Sequence, residues 1–112
     1  MRIEKFKLNK DFRRLYGRGK SLVSPHIVTY YLRGRTENVR IGITVGKKLG
    51  NAVCRNRARR VITAAFYEVM NDVRAGSEIV FVARTRILGV KSTVVAKEMR
   101  EHLKLLGVLK SE

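Results

Sequence analysis

The chain has 112 residues, of which 25 are Lys or Arg and 9 are Asp or Glu, so its formal net charge is +16. This length and a hydrophobic content of 45% predict a single folded domain over residues 1–112 and exclude a disordered basic tail. No run approaches the roughly 18 apolar residues of a membrane span, and no apolar run follows the N-terminal charges as in a secretory signal. The single cysteine, Cys54, has no internal disulfide partner, which is typical of the reducing cytoplasm.

The charge of +16 costs stability through self-repulsion and therefore indicates a polyanionic partner. Nucleic acid is the commonest such partner. An anionic membrane surface is a weaker alternative, because the predicted strands indicate a folded body rather than a membrane-surface helix. A basic surface without any partner is also a weaker alternative. We therefore expect a cytoplasmic nucleic-acid-binding domain with no membrane partner.

The first predicted element is a short amphipathic helix, with Asn9 as its N-cap and Gly17 at its end. Its apolar residues recur at helical spacing: Leu8, Phe12, Leu15 and Tyr16.

Two strands are predicted next. Residues 21–32 are rich in β-branched and aromatic side chains and predict one strand, with Pro25 at an edge or near the start. Within it, Val28 and Tyr30 fall on the same face. After a turn over residues 34–38, alternating apolar residues predict a second strand over residues 39–46, antiparallel to the first.

The longest periodic segment predicts a helix with Asn51 as its N-cap and Gly76 beyond its end. Its core stripe contains Ala58, Val61, Ile62, Ala65, Phe66 and Val69. Residues 79–83 form a continuous apolar run, as expected for a strand buried on both faces. Ser92 is predicted to cap a last helix whose inner stripe contains Val95, Met99, His102, Leu103 and Leu106. The order α-β-β-α-β-α predicts an α+β fold in which helices pack on a small mixed sheet.

Basic residues are concentrated at the start of the long helix. Residues 38–67 contain no Asp or Glu but hold seven cations: Arg40, Lys47, Lys48, Arg55, Arg57, Arg59 and Arg60. A helix N-terminus carries about half a positive charge, so each cation there costs roughly a few tenths of a kcal/mol. A bound phosphate reverses this balance, because the free N–H groups of the first turn and the guanidinium groups together bind an anion. The helical wheel points four side chains away from the core: Asn56, Arg60, Thr63 and Tyr67.

Aromatic residues near basic segments are candidates for stacking on unpaired bases, as in the recognition of single-stranded RNA. Phe12 lies on an apolar stripe, so a core role fits its position equally well. Tyr16 and Tyr30 are the better candidates, because a hydroxyl group suits a partly hydrated site.

The sequence predicts no catalytic side chain. Residues 42–48, GITVGKK, are one residue short of a phosphate-binding loop, and Lys48 replaces the required Ser or Thr. His26 and His102 have no second ligand at metal spacing, and His102 is predicted to pack in the core. Cys54 has no His partner nearby and is interpreted as a small neutral residue of the long helix. The carboxylates form no pair suited to acid–base catalysis.

Residues 47–60, KKLGNAVCRNRARR, resemble the signature of the bacterial ribonuclease P protein component at every fixed position. Residues 12–21 resemble that family's first helix and the glycine after it, and residues 79–84 resemble its last strand and terminal arginine. The resemblance covers nearly the whole chain. Thr63 stands where the family usually carries an arginine, which removes one expected RNA contact.

The resemblance implies a protein subunit that assembles with a catalytic RNA and promotes endonucleolytic removal of the 5′ leader from precursor tRNA. The RNA would perform the hydrolysis with Mg²⁺, held mainly by the RNA, and no protein metal ligand is assigned. A left-handed β-α-β crossover is also implied. The catalytic RNA would dock on Lys47, Lys48, Asn51, Arg55, Asn56, Arg57, Arg59 and Arg60. The leader would lie in a cleft lined by Phe12, Tyr16, Tyr30 and Arg84.

A ribosomal or other structural RNA-binding protein is the alternative interpretation, because it shares the charge, the size and the compartment. A double-stranded DNA binder is disfavoured, because the cations cluster at one end of the helix and the aromatic residues favour splayed bases. We therefore expect no DNA partner.

Overall fold

The computed structural model describes residues 2–110, which form a five-stranded mixed sheet and three helices. This confirms the predicted α+β class. In chain order the elements are β1 (Ile3–Lys5), α1 (Asn9–Arg18), β2 (Lys20–Val23), β3 (Ile27–Arg33), β4 (Val39–Thr44), α2 (Ala52–Val69), β5 (Ser77–Ala83) and α3 (Ser92–Leu105).

β5 is the central strand of the sheet, whose order is β1-β4-β5-β3-β2. It pairs parallel with β4 and antiparallel with β3, and all but one of its residues are buried. A strand covered on both faces is the environment that its continuous apolar run requires. β4 runs opposite to β3, as predicted, but β5 lies between them and hydrogen-bonds to both. The β4–α2–β5 connection joins two parallel neighbours, and its left-handedness stays a prediction.

α2 and α3 cover one face of the sheet and form the larger core. The predicted stripes of both helices face this core, except that Val61 and Leu106 are only partly buried. The buried members are Ala58, Ile62, Ala65, Phe66 and Val69 on α2 and Val95, Met99, His102 and Leu103 on α3.

α1 packs against the opposite face of the sheet, where Leu15 is fully buried. Gly42 of β4 permits this close approach, because a Cβ atom at that position would lie 2.5 Å from a ring carbon of Phe12. The predicted helix end at Gly17 is wrong. The helix continues through Arg18, and its C-cap is Gly19, where a Cβ atom would lie only 2.6 Å from the Leu15 carbonyl oxygen.

Of the three predicted N-caps, only Asn51 is confirmed. Its side-chain oxygen accepts the backbone N–H three residues further on, at 3.1 Å. Asn9 and Ser92 are instead the first helical residues, and the cap positions before them, Leu8 and Lys91, make no side-chain capping hydrogen bond. Both helices therefore begin one residue earlier than a polar cap at Asn9 or Ser92 requires.

Residues 21–32 form a hairpin rather than the single strand predicted from their composition. β2 and β3 pair antiparallel, and Ser24 in the turn between them donates its N–H to the carbonyl oxygen of Ile27 at 3.0 Å. Pro25 lies in this turn, just before β3, which agrees with its predicted place near a strand start. The sequence does not predict β1, because its three residues are too few to show a period.

Candidate nucleic-acid interface

The predicted docking residues lie on one continuous segment, the docking segment, which runs from a 3₁₀ turn into the first turns of α2. Gly50 between them has φ 111, a backbone conformation that favours glycine, and it turns the chain into the helix. The first turn of α2 contains no acidic residue. The exposed members of the segment are Lys47, Lys48, Asn51, Asn56, Arg57, Arg59 and Arg60.

The cations of the docking segment have no counter-ion within the part of the chain that the structure describes. None of them takes part in a salt bridge among residues 2–110. Arg59 makes one weak contact, from its Nη1 to the amide oxygen of Asn56 at 3.5 Å. Arg55 is half-buried, and its Nε is shielded from solvent without a hydrogen-bond partner. The segment therefore presents positive charge that the fold leaves uncompensated.

Three of the four predicted cleft residues come together on the α1 side of the sheet. The rings of Tyr16 and Tyr30 meet edge to face with their centroids 5.0 Å apart, and the Tyr16 hydroxyl lies 2.5 Å from the Thr44 Oγ1. Phe12 is partly buried and meets the Phe6 ring edge to face at 5.3 Å. Phe12 therefore packs partly in the core and also lines the hollow beside Tyr16.

Sequence reasoning missed the sheet surface beside these rings. The strand registers place Val23, Val28, Val82 and Thr44 side by side in one row across the four strands β2, β3, β5 and β4. All four remain at least partly exposed, and Val23 is 64% exposed. The alternation of residues 21–32 already put Val28 and Tyr30 on one face, but the partners from the other strands depend on the register. The row provides an apolar floor for the cleft.

Arg84, the fourth predicted cleft residue, directly follows β5 and is exposed. Its guanidinium donates to the carbonyl oxygen of Ser24 at 2.8 Å. Glu98 of α3 holds this turn by accepting hydrogen bonds from the Ser24 hydroxyl, at 2.5 Å, and from the backbone and ring of His26. Burial opposes the charge on Glu98, but these hydrogen bonds outweigh it and keep the pKa of the carboxyl below its usual range.

The cleft and the docking segment are connected. Arg59 lines a hollow together with Phe12, Tyr16 and Thr44, so it belongs to both surfaces. At the far end of the cleft, Arg84 shares a second hollow with Lys47, Lys48 and Thr44. A polyanion following the sheet surface would therefore meet docking-segment cations at two places.

A second group of arginines is internally paired. Asp11 and Glu78 are buried carboxylates, and each contacts both Arg14 and Arg40. The Arg40 guanidinium lies 3.2 Å from Asp11 and 3.1 Å from Glu78. The hydrogen bond to Glu78 raises the pKa of Arg14 above its ordinary value, although burial opposes this. These carboxylates neutralise structural cations.

His102 is a core residue, as predicted. It is 5% exposed, and its Nδ1 lies 2.8 Å from the hydroxyl oxygen of Thr29, which is fully buried. Burial lowers the pKa of His102 below its ordinary value, although the nearby carboxylates Glu98 and Glu101 oppose this shift. The histidine is therefore stabilised in its neutral form.

Within residues 2–110, no helix is long and apolar enough to cross a membrane. The same range contains no group of three or more His, Cys, Asp or Glu side chains placed to hold a metal ion.

The fold and the surface define a small basic α+β protein with an open sheet cleft next to uncompensated helix cations. The family model for ribonuclease P matches residues 1–107. The ribonuclease P protein component of Listeria welshimeri is 37% identical over 109 residues, covering 96% of this chain and 92% of that protein. That of Clostridioides difficile is 39% identical over 84 residues, covering 74% of each. The chain belongs to the ribonuclease P protein family.

Solved structures agree with this assignment. The ribonuclease P protein of Staphylococcus aureus superposes with a TM-score of 0.80 at 30% identity, covering 95% of this chain and 97% of that one. The ribonuclease P protein of Thermotoga maritima superposes with a TM-score of 0.76 at 25% identity, covering 87% of this chain and 92% of that one.

Proposed function

We propose that this chain is the protein subunit of a ribonuclease P ribonucleoprotein, which removes the 5′ leader of precursor tRNA to give the mature 5′ end. The docking segment binds the catalytic RNA, and the cleft beside α1 binds the leader. In this role the protein works in the cytoplasm, without a membrane or DNA partner. The observation that carries the proposal is the set of docking-segment cations without counter-ions, among residues 2–110, at the N-terminus of α2.

The electrostatics of α2 favour a phosphate ligand. The positive end of the helix dipole disfavours cations in the first turns, and Arg55 and Arg59 add like-charge repulsion at i, i+4. RNA phosphates remove both costs, because they accept hydrogen bonds from guanidinium groups and are attracted by the helix N-terminus. The planar guanidinium group suits bidentate phosphate contacts better than a lysine does.

The geometry of the cleft favours a single strand. Tyr16 is 40% exposed next to Tyr30, and the valine row continues the apolar surface across the sheet. Unpaired bases stack on such aromatic side chains with little sequence preference. Arg84 at the end of the row is placed to meet the backbone phosphates of the same strand.

We assign no protein metal ligand, and residues 2–110 contain no group of three or more His, Cys, Asp or Glu side chains placed to hold a metal ion. We expect the Mg²⁺ ions and the hydrolytic step to belong to the RNA. The protein contributes binding and orientation of the leader, and no catalytic residue is assigned to it.

The proposal is tested by cleavage of precursor tRNA with a bacterial ribonuclease P RNA at low Mg²⁺, with and without this protein. We expect correct 5′ cleavage to be restored only when the protein is present. Tight RNA binding without restored cleavage would contradict the proposal.

A ribosomal or other structural RNA-binding role is the second candidate, because the docking segment alone would serve it equally well. The cleft distinguishes the two. Only the ribonuclease P role predicts that the protein increases the affinity of the catalytic RNA for leader-bearing tRNA over mature tRNA.

A further inference from the structure

A groove of about 490 Å³ lies along β4 on the side where β1 ends. Ligand pockets in proteins commonly have volumes of ~300–1,000 Å³, so this groove has room for a small ligand group. One wall is the outer surface of α2, and the other is formed by the first residues of the chain and α1. The lining residues include Lys5, Ile43, Arg59, Arg60, Thr63 and Tyr67.

Tyr67 stands at the rim of this groove and is 62% exposed. It follows Arg60 by seven residues and Thr63 by four, so the three side chains form one stripe on α2. Thr63, whose side chain is short, lies between Arg60 and Tyr67 on this stripe. An exposed aromatic ring next to a guanidinium group is a typical surface for stacking a nucleobase.

The backbone of β4 is open at the bottom of the groove. Val39 N–H donates to the Arg2 carbonyl and Phe6 N–H donates to the Ile41 carbonyl, both at 2.8 Å, so alternate residues of β4 face β1. Ile43 is the next residue in this alternation, and β1 has already ended at Lys5. Its N–H and C=O groups therefore face the groove, where they are placed to hydrogen-bond a base edge.

The charge of the groove favours an anionic ligand. Its lining includes three cations, Lys5, Arg59 and Arg60, and no carboxylate among the residues that the structure describes. The nearest acidic side chains on α1 and β1, Asp11 and Glu4, are both paired with Arg40. A phosphate in the groove would therefore meet a lining that is positively charged.

We propose that this groove holds one unstacked nucleotide of the catalytic RNA, with its base against the Tyr67 ring and its phosphate near Arg59 and Arg60. The inference rests on the proposed function and adds a site for a single base to it. The catalytic RNA is the occupant that fits, because Tyr67 continues the same α2 surface that carries the docking segment.

The chain contains no tryptophan, so a single introduced one reports on its own position. In Tyr67→Trp, titration with ribonuclease P RNA alone is expected to quench and shift the tryptophan fluorescence as the base stacks. Leu105→Trp is the matched control, because Leu105 is 69% exposed on α3, away from the groove. Its fluorescence is expected to stay nearly constant in the same titration.

Affinity provides the second readout. Tyr67→Leu is expected to weaken binding of ribonuclease P RNA by about tenfold, which is within the range measured for the loss of one stacked base. Tyr67→Phe keeps the ring and is expected to bind like the wild type. The dependence of affinity on salt is expected to be the same in all three proteins, because no charge is removed. The unfolding midpoint of each variant shows whether the exposed position tolerates the change.

Each failure has a separate meaning. If the wild-type protein does not bind ribonuclease P RNA, the proposed function fails and the groove assignment fails with it. If the wild type binds and a folded Tyr67→Leu variant binds as tightly as Tyr67→Phe, the ring makes no difference and only the groove assignment is overturned. Fluorescence quenching in Tyr67→Trp that requires leader-bearing tRNA would overturn the assignment to the catalytic RNA.

Discussion

Two groups of arginines in this molecule differ in whether they have carboxylate partners. Next to α1, Arg14 and Arg40 are held by the buried carboxylates Asp11 and Glu78. On the docking segment, every cation except the half-buried Arg55 is exposed, and none of them forms a salt bridge among residues 2–110.

The difference separates charge that stabilises the fold from charge that is available to a ligand. A buried carboxylate network satisfies its arginines internally, so its removal leaves charges uncompensated inside the protein. The cations of the docking segment have no such partners among residues 2–110. They lie near the N-terminus of the helix, where positive charge is least favourable. Net charge alone therefore does not separate these two groups of arginines, whereas their salt-bridge partners do.

The largest effect is expected from Glu78→Gln in the paired region. Glu78 is 5% exposed and contacts two arginines, so its neutralisation is expected to destabilise the protein by about 2–3 kcal/mol. Urea unfolding measures the change. Asp72→Asn is the control, because it breaks an exposed pair with Arg100 and is expected to cost less than about 1 kcal/mol. Equal losses in the two variants would show that the network is no more important than a surface pair.

A smaller effect, limited to the leader, is expected from Tyr16→Ala. Loss of the exposed ring removes one stacking surface and is expected to reduce the preference for precursor over mature tRNA by about fivefold to tenfold. Affinity for the catalytic RNA is expected to remain nearly unchanged. Tyr16→Phe is the control, because it keeps the ring and loses only the hydrogen bond to Thr44. Equal loss of both affinities in Tyr16→Ala would assign the ring to the fold.

Arg57→Ala in the unpaired region is expected to act on binding rather than on folding. The affinity for catalytic RNA is expected to fall, and the slope of log K against log salt is expected to decrease in magnitude by about one. Stability is expected to stay the same or to rise by about a few tenths of a kcal/mol, because a cation leaves the helix N-terminus. Arg100→Ala, which removes the same charge from α3, is the control. An unchanged slope for Arg57→Ala would exclude this residue from the interface.

Acid stability is expected to depend on two titratable groups whose pKa values the fold shifts, His102 and Glu98. Burial lowers the pKa of His102, so the unfolded chain binds a proton more readily than the folded protein does. Stability is therefore complete above the ordinary histidine value of about 6.5 and decreases as the pH falls below it.

Glu98 adds a second loss at lower pH. Although its burial acts in the other direction, its hydrogen bonds lower its pKa, and its contribution disappears as the pH falls through and below the usual glutamate range. Unfolding measured between pH 7 and pH 3 in the wild type, His102→Gln and Glu98→Gln tests both assignments. A pH dependence in His102→Gln that matches the wild type between pH 7 and pH 5 would contradict the role of the histidine.

Local patterns in the sequence predict the elements that have a clear period or cap. The stripe of α2, its cap at Asn51 and the buried strand β5 follow directly from spacing and composition. The hairpin within residues 21–32 does not, because both of its strands share one composition and only Pro25 marks the turn. The N-caps predicted at Asn9 and Ser92 are wrong by one residue, because a polar residue is compatible with the first turn as well as with the cap.

The site is predictable where it depends on one segment and not where it depends on the sheet register. The docking segment lies within fourteen consecutive residues, 47–60, so its charge is visible in the sequence. The pairing of Tyr16 with Tyr30, and the row that joins Val28 to Val82 and Thr44, require strands that are distant in the chain. The buried carboxylates Asp11 and Glu78 are also distant from each other in the chain, and no local pattern marks them as partners.

The central place of β5 also governs when the protein can acquire its structure during synthesis. Before residues 77–83 leave the ribosome, the β2–β3 hairpin and the β1–β4 pair have no strand to join them. The sheet closes only when this late segment inserts between β3 and β4, which makes long-range pairing a requirement of folding. A nascent chain that stops short of β5 would expose the apolar faces of two separate strand pairs, and we expect such truncated chains to aggregate.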